Sequence, residues 1–131
     1  MIKPHGSETL NSLLITDSDQ LQQLHSEAES LPSIILNSAA AANAVMMGAG
    51  YFNPLTGYMN LADSLSVAEN LHTEDGLFWP VPVVNLVKDA SGIEGASRIA
   101  LRDPNTEGNP VMAIMDVSAI ETVSDAQIKM M

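Results

Sequence analysis

A chain of 131 residues, of which 46% are hydrophobic, is long enough to bury its own core, and this argues against a disordered chain. Five Lys and Arg against 16 Asp and Glu give a formal net charge of −11. That charge argues against binding to nucleic acids or to anionic membrane surfaces. The absence of cysteine excludes disulfides, thiolate metal sites and cysteine nucleophiles.

The first 40 or so residues predict an extended arm, a helix and a short strand. Residues 1–12 mix Pro, Gly, Ser and Asn, and they predict the arm. A helix follows, capped by Thr16 or Asp17, with apolar residues at helical spacing and an end before Pro32. Residues 33–36, "SIIL", predict a short buried strand.

Two further helices complete the first half of the chain. Asn37 or Ser38 is predicted to cap an alanine-rich helix that stops at Gly48 or Gly50 in left-handed geometry. After a turn, Asn60 predicts the cap of a third helix, which residues 73–76 are expected to close.

The second half of the chain predicts strands. The segment "LFWPVPVVNLV" at 77–87 predicts a strand because it is rich in β-branched and aromatic residues, and its two prolines restrict its first half to a sheet edge or a bulge. Residues 98–103 and 111–123 predict a hairpin around a loop dense in turn formers. A last helix begins near residue 125. Helices followed by strands predict an α+β fold.

No set of residues with the spacing of a catalytic, cofactor or metal site is recognised. The three histidines lie far apart, and the acidic pairs fall in helix starts, helix faces and turns, where they favour solvation. Arg98 and Arg102 lie on one side of a predicted strand. They would either hold an oxyanion together or form surface ion pairs with nearby acids. The sequence predicts no catalytic residue, no cofactor and no metal.

One turn concentrates the aromatic residues. The segment "GYFNPLTGYM" at 50–59 contains three of the chain's five aromatic residues. It resembles the aromatic–x–Pro–Leu–Thr–Gly–aromatic–Met turn of ATP sulfurylase, the sulfate adenylyltransferase. "LPSIILNS" at 31–38, "DGLFWPVPVVNLV" at 75–87 and "RIALRD" at 98–103 are similar to further segments of that family, in the family's order. Asn53 departs from the family, in which a serine is frequent.

The resemblance implies the N-terminal domain of that enzyme, a PUA-like β-pseudobarrel with additional N-terminal helices. We expect residues 1–131 to form this single domain, with the catalytic domain absent. The family's catalytic motifs, a Gln-x-Arg-Asn sequence and a paired-histidine motif, have no counterpart here. The whole enzyme makes adenosine 5′-phosphosulfate and pyrophosphate from ATP and sulfate, or runs in reverse. We expect this chain alone to be an inactive, cytoplasmic fragment with a scaffolding role.

The resemblance also suggests a role for the turn and for partners. The turn is expected to pack within the domain or to contact the catalytic domain, and its residues are Tyr51, Phe52, Asn53, Pro54, Leu55, Thr56, Gly57 and Tyr58. Expected partners are the missing catalytic domain and further copies of the chain. The alternative function is a free-standing PUA-like binding domain. RNA binding, common among PUA-like domains, is disfavoured by the charge of −11.

Overall fold

The computed structural model describes residues 2–131 and contains helices and strands in the order of an α+β protein. The helices are α1 (Ser18–Ser30), α2 (Ser38–Gly48), α3 (Leu61–Asn70) and α4 (Asp125–Met130). The strands are β1 (Ser33–Ile35), β2 (Arg98–Arg102) and β3 (Val111–Asp116), and a short 3-10 helix spans Ser91–Ile93. The predicted α+β class is therefore confirmed.

The described chain divides into two compact units. The first contains the residues up to Gly57 together with Leu86–Ser118, and the second contains Tyr58–Asn85 and Ala119–Met131. The expectation that residues 1–131 form a single domain stays a prediction.

A mixed three-stranded sheet forms the centre of the first unit. Strand β1 pairs in parallel with β2, and β2 pairs antiparallel with β3. The hairpin of β2 and β3 was predicted, but β3 ends at Asp116, before the predicted end at residue 123. Strand β2 lies at the core, because its three central residues, Ile99, Ala100 and Leu101, are buried. Strand β1 is less buried than predicted, since Ile35 is 57% exposed.

Side-chain caps define the starts of the first three helices. Asp17 accepts a hydrogen bond from the Gln20 amide at 2.9 Å and begins α1. The side chains of Asn37 and Asn60 begin α2 and α3 in the same way. Each cap satisfies an amide that the helix itself leaves unbonded. The predicted caps are therefore confirmed, with Asp17 and Asn37 as the residues used.

The second unit contains α3, α4 and an irregular segment that was wrongly predicted as a strand. Residues 77–85 form no strand, and the segment is joined to the chain before it by one isolated β-bridge, His72 to Phe78. Pro80 and Pro82 lack the amide hydrogens that a strand ladder needs. The apolar character of the segment does predict burial, since Trp79 and Val83 are both buried.

Helix α3 is fixed at both ends within this unit. The Glu121 carboxylate accepts a hydrogen bond from the Leu61 amide at 2.8 Å, which satisfies a second free amide at the start of the helix. The helix ends at Asn70, before the predicted closing segment, and the residue that caps it, Leu71, has a left-handed φ of 60°. Among the helices described in residues 2–131, none is both long and apolar enough to cross a membrane.

Candidate functional site

The turn that follows α2 is the candidate site from the sequence, and it is closed by backbone hydrogen bonds. The Leu55 amide donates to the Phe52 carbonyl oxygen at 2.8 Å, across a cis peptide bond between Asn53 and Pro54. The Tyr51 amide donates to the carbonyl oxygen of Met46 at 3.0 Å. The turn is therefore continuous with the last turn of α2.

Asn53 is the buried polar residue at the centre of this turn. This residue is only 7% exposed. Its side chain makes three hydrogen bonds to the N-terminal arm. Its Nδ2 donates to the His5 carbonyl oxygen at 3.0 Å and to the Ser7 hydroxyl at 2.7 Å. Its Oδ1 accepts from the Asn11 amide at 3.2 Å. A buried amide needs such partners, because leaving it unpaired is costly.

The end of α2 holds the arm at a second place. The Gly48 carbonyl oxygen accepts from the Leu13 amide at 2.8 Å and from the Ser12 hydroxyl at 3.0 Å. Gly50 has a φ of +84°, and a Cβ at this position would lie 3.1 Å from the Asn11 carbonyl oxygen. Glycine is therefore required both by the backbone conformation and by the close approach of the arm.

The three aromatic residues of the turn differ in their surroundings. Tyr51 is 76% exposed, whereas Phe52 and Tyr58 are half-buried. Burial raises the pKa of Tyr58 to about 12, because the tyrosinate is poorly solvated there. The sequence analysis grouped these residues because they lie beside one turn, but among the three only Tyr51 is mostly exposed to solvent.

The sequence analysis missed the contact between Asn53 and the arm. The arm contains prolines, glycine and small polar residues, which predict an extended segment but give no partner for it. The one feature of the sequence that could have indicated this contact is the carboxamide side chain of Asn53, at a position where ATP sulfurylases frequently have a serine. A carboxamide reaches farther than a hydroxyl and has separate donor and acceptor atoms.

The arginine pair predicted on β2 is divided between different partners. Arg98 donates to Glu27 of α1 at 2.8 Å and to Asp116 of β3 at 2.9 Å. Its hydrogen bond to Glu27, followed by that to Asp116, raises the pKa of the Arg98 guanidinium. Arg102 instead donates to the Ser33 hydroxyl and the Asn109 carbonyl oxygen. Arg98 therefore forms the predicted surface ion pairs, whereas the alternative, an oxyanion site shared by the two arginines, is not formed.

The histidines and acidic residues form no metal cluster within residues 2–131. The His72 ring contacts the Phe78 ring edge-on at a centroid distance of 5.8 Å, and its Nδ1 lies 2.9 Å from the Asn70 carbonyl oxygen.

Asp103 accepts from Thr106 and Asn105 in its own loop, and these hydrogen bonds lower the pKa of its carboxyl. These groups serve loop structure.

A sequence profile assigns the family. The profile of the PUA-like domain matches residues 2–130. The chain belongs to the PUA-like domain family. This confirms the fold that the sequence resemblance implied, and the match extends over both compact units of the PUA-like domain.

Known proteins resemble this PUA-like domain over nearly all of its length. It is 62% identical over 129 residues to a sulfate adenylyltransferase of Alcanivorax borkumensis and 60% identical over 131 residues to one of Allochromatium vinosum. These matches include 98% and 100% of this chain but only 32% and 33% of the two relatives. The chain therefore spans about a third of the length of the relatives it matches, and the predicted resemblance to this enzyme is confirmed.

A solved structure shares the fold. A chain described as a hexameric APS kinase from Thiobacillus denitrificans superposes with a TM-score of 0.71 at 32% identity. The superposition includes 90% of this chain and 23% of that chain. Here too the PUA-like domain corresponds to a part of a longer protein.

Proposed function

We propose that this chain acts as the N-terminal PUA-like domain of a sulfate adenylyltransferase, a cytoplasmic enzyme that forms adenosine 5′-phosphosulfate and pyrophosphate from ATP and sulfate or catalyses the reverse. The observation that carries the proposal is the similarity to the Alcanivorax borkumensis enzyme. The two sequences are 62% identical over a segment that includes 98% of this chain and about a third of that enzyme. The chain has neither of the family's catalytic motifs, so its own role is scaffolding and its partner is a catalytic domain.

The turn at residues 51–58 has a structural role in this proposal. It supplies the buried Asn53, whose three hydrogen bonds hold the arm against the end of α2. A contact between the turn and a catalytic domain is the second candidate, and the exposed ring of Tyr51 favours it, since aromatic side chains are enriched in interfaces.

A chimera tests the proposal. In the Alcanivorax borkumensis enzyme, the third that matches this chain is replaced by residues 1–131. We expect the chimera to fold and to retain sulfate-dependent ATP–pyrophosphate exchange of the same order as the parent enzyme. The 131-residue chain alone is expected to show no exchange.

Controls separate loss of folding from loss of function. Circular dichroism and gel filtration establish whether the chimera is folded, and the parent enzyme without the exchanged third shows whether the domain is needed at all. A folded chimera without activity would overturn the proposed scaffolding role. Exchange activity of the 131-residue chain alone would contradict the assignment of catalysis to another domain and favour an independent function.

A further inference from the structure

Strand β3 has one edge without a partner in the sheet. The sheet order places β2 between β1 and β3, so β3 is bonded on one side only. Just after β3, the Val117 amide donates to the Ser97 carbonyl oxygen at 2.8 Å, on the side of β2. Main-chain groups of an antiparallel strand alternate between its two edges, so those of Asp116 and Ile114 are directed away from β2.

These outward main-chain groups have no hydrogen-bond partner within residues 2–131. No donor or acceptor of the described chain reaches the amide or the carbonyl oxygen of Ile114 or Asp116. Ile114 is half-buried, and unpaired main-chain groups become costly as they are removed from water. The two residues together offer two donors and two acceptors in a row, which is the pattern that an added strand bonds to.

The residue types of β3 favour such pairing. Its sequence, "VMAIMD", contains no proline or glycine and only one charged residue, at its last position. Natural edge strands are commonly protected from pairing by prolines, by charges or by shortness. The other edge of the sheet is protected in this way, because β1 has three residues and follows Pro32. The irregular register of β3 lies beyond Ala113, so the segment from Ala113 to Asp116 is regular.

An excess of negative charge lies at the end of this edge. Glu27 and Asp116 both contact Arg98, at 2.8 and 2.9 Å, so the three groups together retain one negative charge. The Asp116 side chain is 80% exposed and can accept a second cation. The chain as a whole has a net charge of −11, which attracts cationic partners and repels a second copy of itself.

We propose that the open edge of β3, formed by Ile114 and Asp116, binds an extended cationic segment of a partner protein. The segment adds a fourth strand to the sheet, and its main chain exchanges hydrogen bonds with the amides and carbonyl oxygens of these two residues. A lysine or arginine of the segment pairs with Asp116. An apolar residue two positions away packs on Ile114, because side chains two apart share one face of a strand. Hydrogen bonding and charge thus indicate the same partner.

Two blocked heptapeptides test this inference, Thr-Lys-Thr-Val-Thr-Lys-Thr and the same sequence with glutamate in place of lysine. Each is titrated into the isotope-labelled 131-residue chain while the amide chemical shifts are recorded. We expect the lysine peptide to shift the Ile114 and Asp116 amides in a saturable way, with the Ser33 and Ile35 amides on the edge of β1 unchanged. The glutamate peptide should bind at least about tenfold more weakly, because like charges meet at Asp116.

Substitutions separate hydrogen bonding from charge. Asp116→Pro removes the carboxylate and the outward amide, but it keeps the ladder to β2, because that amide points away from the sheet. Asp116→Asn removes the charge alone. The lysine peptide should bind at least about tenfold more weakly to Asp116→Pro, with a smaller loss in Asp116→Asn. Ile35→Pro is the matched control, since it removes an outward amide from the edge of β1 and should leave binding unchanged.

Circular dichroism establishes that each variant is folded. The inference would be overturned by the absence of a saturable shift at Ile114 and Asp116, by equal binding of the two peptides, or by equal losses of binding in Asp116→Pro and Ile35→Pro. Shifts at the same amides that depend on protein concentration without any peptide would assign the edge to a second copy and would also overturn it. None of these results depends on the proposed enzymatic function, which the chimera tests separately.

Discussion

The side-chain nitrogen of Asn53 lies 3.0 Å from the main-chain oxygen of His5, although 48 positions separate the two residues in sequence. Together with the bonds to Ser7 and Asn11, this contact makes one buried amide the junction between the turn and the N-terminal arm. The arm is therefore part of the folded first unit, and the residues at this junction offer the sharpest tests of the structure.

Replacing Asn53 should destabilise the protein by loosening the arm. In Asn53→Ala we expect the free energy of unfolding, measured with urea, to fall by about 2–3 kcal/mol, because three hydrogen bonds in a buried site are lost. Hydrogen exchange of the Asn11 amide should become faster in the same variant, since that amide loses its acceptor. Thr56→Ala, at an exposed position in the same turn, is the control and should change neither quantity. Equal effects of the two substitutions would contradict the assigned role of Asn53.

Gly50 should be sensitive to substitution for two separable reasons. Gly50→Ala places a Cβ in a left-handed backbone conformation and 3.1 Å from the Asn11 carbonyl oxygen. The conformation alone costs about 1–2 kcal/mol. Gly108 has a similar φ of +79° but open space around a Cβ, so Gly108→Ala measures the conformational cost by itself. We expect Gly50→Ala to lower the free energy of unfolding more than Gly108→Ala. Equal decreases in the two variants would exclude a close contact between position 50 and the arm.

The two acids that contact Arg98 should contribute unequally to stability. The Glu27 side chain is less than half as exposed as that of Asp116, so its ion pair is less screened by water. Thermal unfolding should therefore show a larger decrease in Tm for Glu27→Gln than for Asp116→Asn, and high salt should reduce the difference. Glu29→Gln, on the same helix at an exposed position, is the control for removing a charge from α1. The reverse order of the two decreases would refute this account.

The half-buried phenol of Tyr58 should make the protein less stable at alkaline pH. Below the ordinary tyrosine pKa of about 10, the phenol is protonated in both the folded and the unfolded chain, so it causes no pH dependence. Between pH 10 and the folded-state pKa of about 12, the unfolded chain loses this proton while the folded chain retains it. Stability is therefore expected to fall across that interval.

The measurement is urea unfolding at several alkaline pH values. The loss between about pH 10 and 12 should be smaller in Tyr58→Phe than in the original chain, because phenylalanine has no proton to release. Tyr51→Phe, at an exposed position, should behave as the original chain does. If Tyr58→Phe has an unchanged alkaline loss, the phenol is not held in its neutral form by the fold.

Local signals in the sequence predicted much of the secondary structure. The caps Asp17, Asn37 and Asn60 were recognisable because capping depends on a side chain and an amide three residues later. The hairpin of β2 and β3 was recognisable from its turn-forming loop. These features depend on neighbours in sequence, which is why they could be predicted without the fold.

Features that depend on distant residues could not be predicted in this way. The apolar segment around Trp79 was taken for a strand, although its burial comes from packing and its prolines prevent a ladder. The role of Asn53 depends on an arm more than 40 residues away. The residue types of the arm predict an irregular segment, but its hydrogen-bond partners can be read only from the tertiary structure.

The attachment of the arm also bears on where a shortened version of this protein can safely begin. Composition alone would invite a deletion of the first dozen residues, since residues 2–12 form no helix or strand. Such a deletion would remove all three hydrogen-bond partners of the Asn53 side chain and would uncover the glycine-rich end of α2. Expression designs and purification tags should therefore preserve the arm intact, with any added residues placed before it.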